Sequence, residues 1–148
     1  MNFMQDEFPI RRFLDVPANA MGVAIFDRSL AAARRGGAEE RYTFALGIYG
    51  IVNGAQVPGL PDDVAEASFQ QAFKIFEEGA REGHLWSTVM AGICRFYGQG
   101  CDIDIQEAAR FIQIARSVED HPLIEDMYAK IQAVLKSTRQ PGPNGPGF

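Results

Sequence analysis

The sequence predicts an all-α domain, a short α-solenoid of stacked antiparallel hairpins, and three observations predict it. The eight prolines lie at positions 9, 17, 58, 61, 122, 141, 143 and 146, leaving 62–121 free of proline. Within that stretch apolar residues recur at three- and four-residue steps, the spacing that keeps them on one helical face. β-branched residues are scattered rather than alternating, and only the run GVAIF at 22–26 has the composition of a strand. The third observation is repetition. Ser68, Gln71, Ala72, Ile75 and Gly79 recur 36 residues later as Asp104, Glu107, Ala108, Phe111 and Ala115, and self-similarity at such a period marks a stack of helical units.

Six helices are expected, over 19–35, 39–52, 62–82, 85–97, 105–118 and 122–137. Arg34 and Arg35 close the first, where cations offset the helix dipole, and Gly36–Gly37 turn the chain. The second runs to the Asn53–Gly54 turn, and GAQVPGLP at 54–61 breaks the chain after it. In the third, Ser68 with Gln71 has the spacing of a capping box, while Asp63 with Glu66 offers an earlier start. His84 and His121 each stand at the junction before a helix, where a side chain can cap a turn. Gly98 and Gly100 supply the left-handed or tight geometry that leaves the fourth helix, and Asp104 with Glu107 caps the fifth. A single domain over 1–140 is expected, followed by PGPNGPGF at 141–148 as a flexible tail.

A second correspondence links the intervening helices. Ala45, Leu46, Gly47 and the Asn53–Gly54 turn recur 45 residues later as Met90, Ala91, Gly92 and the Gly98-Gln99-Gly100 turn. The mismatch between steps of 36 and 45 places an insertion in the loop at 54–61, where added length costs little.

Composition narrows the function classes. The 148 residues carry 14 basic and 19 acidic side chains, 47% apolar residues and 22% charged ones, which suits a folded soluble domain and excludes a disordered chain. No apolar run approaches a membrane span, and the start MNFMQDEFPIRRF lacks a basic-then-apolar signal, so a cytoplasmic setting is expected. The net charge of −5 falls wholly in 55–148, because 1–54 carries six basic and six acidic residues. Nucleic acid and anionic membrane are therefore not expected as partners.

Cys94 and Cys101 match neither a zinc knuckle nor a Cys-x-x-Cys pair and read as free thiols. Asp102, Asp104 and Glu107 lack the ligand spacing of a calcium loop, and capping explains them. No serine has a Gly-x-Ser-x-Gly context and no phosphate-cradling glycine loop is present, so neither catalysis nor a cofactor is expected.

Residues 72–111, AFKIFEEGAREGHLWSTVMAGICRFYGQGCDIDIQEAARF, resemble the Sel1-like repeat, a relative of the tetratricopeptide repeat. The match rests on Gly79, Ala80, Gly83 and His84, on Ala91 and Gly92, on Gly98 and Gly100, and on Asp104 with Ala108. The chain departs from the pattern at Arg95, and at Gly50 in the earlier copy, where these repeats usually hold a packing tyrosine. The resemblance implies an adaptor or scaffold, often bacterial, that serves protein assemblies.

The residues point to a surface for such a role. Trp86, Met90, Ile93 and Tyr97 follow at steps of four, three and four on one helical face, with Arg95 on the rim and Tyr49 at a comparable site of the earlier helix. This stripe is expected either to bind a protein or peptide partner, or to lie under the N-terminal segment MNFMQDEFPIRRFLDV as a cap. A homodimer through the stripe is compatible with the first reading. Two other functions stay open: a dedicated inhibitor, such as an immunity protein neutralising a toxin, and a small hydrolase or ligand-binding enzyme, whose sign would be a deep pocket holding His84 beside a carboxylate.

Overall fold

The computed structural model describes residues 7–15 and 20–139, so the tail at 141–148 lies outside the described residues. The elements are α1 (Arg11–Leu14), α2 (Ala20–Arg35), α3 (Ala38–Asn53), α4 (Asp62–Arg81), α5 (Leu85–Tyr97), α6 (Ile105–Val118) and α7 (Pro122–Arg139). No strand occurs among the described residues, and GVAIF lies inside α2. The six long helices fall close to the expected bounds. The single turn α1 was not anticipated by any periodic pattern.

Each helix packs chiefly on the next in sequence, from α1 on α2 through to α6 on α7, and α5 also touches α7. Small residues set how closely they approach. Ala72, Ala91, Ala108 and Ala115 are fully buried. A Cβ on Gly92 would stand 2.9 Å from Ile112 Cδ1 and 3.3 Å from Phe111 Cβ, so α5 and α6 meet closely enough that any side chain at 92 would force Ile112 to shift. Gly98 and Gly100 adopt φ of 73° and 77°, and a Cβ on Gly100 would overlap the backbone of Phe69. The turn after α5 thus rests directly on α4.

The 36-residue step holds in space in part. Ala72 and Ala108 are fully buried and Gly79 and Ala115 are buried, but Ile75 is half-buried where Phe111 is buried, and the fully buried bulky pair is one place on, Phe76 and Ile112. The caps differ from expectation. Ser68 does not begin α4; that helix starts at Asp62 behind Pro61, with Asp62 and Asp63 favourably placed in its first turn. Ser68 is buried in the interior, its hydroxyl donating to the Val64 carbonyl at 2.7 Å. Asp104 does cap α6, accepting from the Glu107 N–H at 3.0 Å. The reciprocal half of that box is missing, because the Asp104 N–H donates to the Arg95 carbonyl at 2.9 Å while Glu107 pairs with Arg110. At α3 the reach-back exists alone: Glu40 accepts from the Gly37 N–H at 2.9 Å.

The 45-residue correspondence carries over into packing in part. Ala45 and Met90, Ile48 and Ile93, and Tyr49 and Cys94 are buried in register, whereas Leu46 and Gly47 are exposed where Ala91 and Gly92 are buried. On α5 that second face is covered by Phe111 and Ile112 of α6; on α3 it stands open.

Candidate functional site

The expected stripe is largely interior. Met90 and Ile93 are buried, Trp86 is half-buried with its ring edge-on to His121 at 4.8 Å, and only Tyr97 is well exposed, at 49%. Tyr49 is buried between Phe69 and Phe76, its hydroxyl donating to Gln99 Oε1 at 2.8 Å. Arg95 is no rim residue either. Its guanidinium lies 4.8 Å over the Phe73 ring and donates to the Asp102 carbonyl at 3.2 Å. The reason is the setting of α5: every residue from Ser87 to Cys94 is buried, since α4 and α6 both pack on this short, almost wholly apolar helix. The described N-terminal segment packs elsewhere, on α2, α3 and α4.

Exposed apolar residues are spread over the described surface, Ile103, Ile114, Val118 and Leu123 among them, and an apolar groove lies between α2 and α3. A cavity of about 400 Å³ is lined by Leu14, Gly22, Phe26, Gly47, Ile51 and their neighbours. A second, of about 430 Å³, continues it toward Arg28, Ala32, Glu39 and Glu40, and the two share Ile25, Ser29 and Thr43. Together they form a groove with an apolar rim at Ile25, which is 55% exposed. Its buried floor is Leu14, Phe26, Phe44 and Ile48, while Gly22, Ser29, Thr43 and Gly47 are the small residues of its lining, and a Cβ built on Gly47 meets nothing within 4 Å. Sequence reasoning missed the groove because Phe26, Phe44 and Ile48 read as ordinary core and its glycine, serine and threonine residues carry little hydrophobic signal.

Beside the groove, residues 7–15 lie across three helices. Phe8 meets Phe26 and Phe44 edge-on at 5.9 and 5.1 Å, and those two rings are 5.3 Å apart. Ile10 and Leu14 are buried. The Arg11 guanidinium donates to both oxygens of Asp27 at 2.7 Å, which holds the Asp27 carboxyl below its ordinary range and raises Arg11. Glu7 pairs with Arg34, and its carbonyl accepts from the Gln71 amide.

His84 stands beside an exposed carboxylate, Glu39, on one side and a buried hydroxyl, Ser87, on the other. Its Nδ1 accepts from the Ser87 N–H at 3.2 Å and lies 2.8 Å from Ser87 Oγ, while Nε2 is 2.6 Å from Glu39 Oε2. The N–H donor fixes Nδ1 as an acceptor, so Ser87 Oγ donates to it and the neutral ring carries its proton on Nε2, facing Glu39. Ser87 is buried, and its hydroxyl sits where a Cβ on Gly79 would be. The three side chains cap α5 and tie it to α3.

The remaining reactive groups are muted. Cys94 and Cys101 are free; burial pushes the Cys94 thiol up to about 12 and also raises Cys101. No three His, Cys, Asp or Glu residues are placed to hold a metal among the described residues, and no helix there is long and apolar enough to cross a membrane. A polar recess at the α6–α7 turn holds Arg116, which is paired with Glu125 at 2.8 Å and stacked 4.0 Å over Tyr128. Comparisons with protein-family models, curated proteins and solved structures give no match to this chain.

Proposed function

We propose that the chain is a small helical-repeat interaction module, a stack of hairpins of the Sel1-like kind, that acts as an adaptor by holding a protein or peptide partner in the α2–α3 groove. The observation that supports it is the groove itself: apolar, open along two helices, with Leu14, Phe26, Phe44 and Ile48 at its base and open space over Gly47 where a partner can approach closely. Such grooves are read by the apolar anchors of a helix or extended peptide, with rim charges setting orientation. Here Ile25 is the exposed anchor, and Arg28, Glu39 and Glu40 are the charges at one end.

The test is co-purification from the native cytoplasm with folded surface variants. Wild type and Tyr97→Ala are expected to recover one partner in stoichiometric amount, and an Ile25→Asp, Gly47→Arg pair to lose it. Recovery that survives the groove pair but disappears with Tyr97→Ala would move the site back to α5. Mass in solution at several concentrations separates a partner from a homodimer.

A further inference from the structure

We propose that the seat of residues 7–15 is a peptide-reading groove that the chain fills with its own N-terminal segment, and that its partner is a peptide of the same pattern. That pattern is an aromatic residue, an aliphatic one two places on, arginine next, and leucine three places further. The proposal rests on the interaction-module reading and gives that surface a sequence preference.

The segment is held as a ligand is held. Its own regular structure is one turn, closed by the Arg11 N–H to the Phe8 carbonyl at 3.0 Å and the Phe13 N–H to the Ile10 carbonyl at 3.0 Å. Everything else is anchorage on longer helices. Phe26 and Asp27 come from α2, Phe44 from α3 and Gln71 from α4, so three separate elements converge on it. Each anchor is read differently. Phe8 enters an aromatic corner, Ile10 and Leu14 are buried, and the planar Arg11 fork matches the Asp27 carboxylate bidentately. Gln71 reads main chain, since its amide N–H donates to the Glu7 carbonyl.

Two features say that the segment does not use the whole surface. Gln71 Oε1 is buried and has no hydrogen-bond partner. A peptide whose main-chain N–H reached that oxygen would complete a two-point clamp on the Gln71 amide. Phe26, Phe44 and Leu14 also line the 400 Å³ cavity, so the seat runs without a break into the open α2–α3 groove. A partner longer than the resident segment gains contacts there.

In the intact chain the resident segment competes, and apparent affinity falls by the fraction of molecules in which the seat is open. A labelled peptide of residues 6–15 should therefore bind the full-length Phe8→Ala, Arg11→Ala chain at least about tenfold more tightly than wild type in fluorescence anisotropy. Adding Asp27→Arg to that chain should abolish binding, and a peptide carrying Arg11→Glu should restore it. Equal binding to wild type and variant, or indifference to the Asp27 reversal, overturns the proposal while leaving the groove variants of the preceding section to decide the broader reading. A wild-type dimer that disappears with Phe8→Ala, Arg11→Ala also overturns it, because the occupant is then a second copy. Should the double variant unfold, hydrogen exchange on wild type decides. The amides of Arg11 and Phe13 should exchange by local opening, well ahead of α5; exchange only with global unfolding makes the segment a fixed part of the core.

Discussion

Two glycines, Gly47 on α3 and Gly92 on α5, separate packing from propensity. Gly92→Ala gains helix propensity of about 1 kcal/mol but drives a methyl into Ile112 and Phe111, and overpacking of this kind costs about 1–3 kcal/mol. Urea unfolding should show a net loss. Gly47→Ala meets nothing within 4 Å and should instead stabilise by up to about 1 kcal/mol, while narrowing the groove. The Arg11–Asp27 pair gives a pH signature. Asp27 lies below the ordinary carboxylate range because Arg11 donates to both its oxygens. Its contribution is fully present above about pH 4, where the unfolded aspartate ionises, and is lost as pH falls through the lower folded value. With Asp27 one-third exposed, Asp27→Asn should cost more than the roughly 1 kcal/mol of a surface pair and less than the roughly 3 of a buried one. The variant's stability should also respond less to acid; an unchanged slope would remove the pair from the account. The Cys94 thiol, pushed up to about 12, should resist alkylation at pH 8 until the chain unfolds.

At the level of the helix, caps distinguish the two related units. Asp104→Ala removes a side-chain acceptor from the first turn of α6 and should cost about 1 kcal/mol. Ser68→Ala removes a hydroxyl that only bonds back to Val64 within its own helix, and should change stability by less than about 0.5 kcal/mol. Thermal unfolding of the two variants checks both. What the sequence disclosed follows the same division. Helix limits were legible because proline, glycine and arginine mark them locally, as at Arg34–Gly37 and Gly98–Gly100. The Ser68 box misled because a serine three residues before a glutamine has the spacing of a cap even inside a helix. The α5 stripe misled for another reason: when nearly every position of a short helix is apolar, periodicity cannot say which face is covered. The turn α1 stayed hidden because its partner Asp27 lies sixteen residues away.

Across the molecule, nearly all packing joins elements adjacent in sequence. Chains organised in this way close short loops and fold rapidly, so refolding should finish within about milliseconds, with single-exponential kinetics; a slow major phase would argue for a different order of assembly. Local packing of this kind also explains how the candidate site arose. The Leu46–Gly47 face of α3 stays uncovered where the equivalent face of α5 is covered by α6, and this leaves the α2–α3 groove open. Nothing in the sequence announced the difference, because Leu46–Gly47 and Ala91–Gly92 look interchangeable until their neighbours are known. The His84–Glu39 contact was likewise invisible, joining residues 45 positions apart.

The end of α3 also sets how the protein ages. Asn53 is followed by glycine, the pairing most prone to deamidate when the glycine nitrogen attacks the asparagine side chain. In the fold that nitrogen donates to the Gly50 carbonyl at 2.9 Å, and the Asn53 side-chain oxygen accepts from Gln99 Nε2 at 2.9 Å. Nucleophile and electrophile are both held in other bonds, so the added negative charge should accumulate only while this corner is open. Isoelectric focusing of a stored sample then becomes a clock for the breathing of one turn.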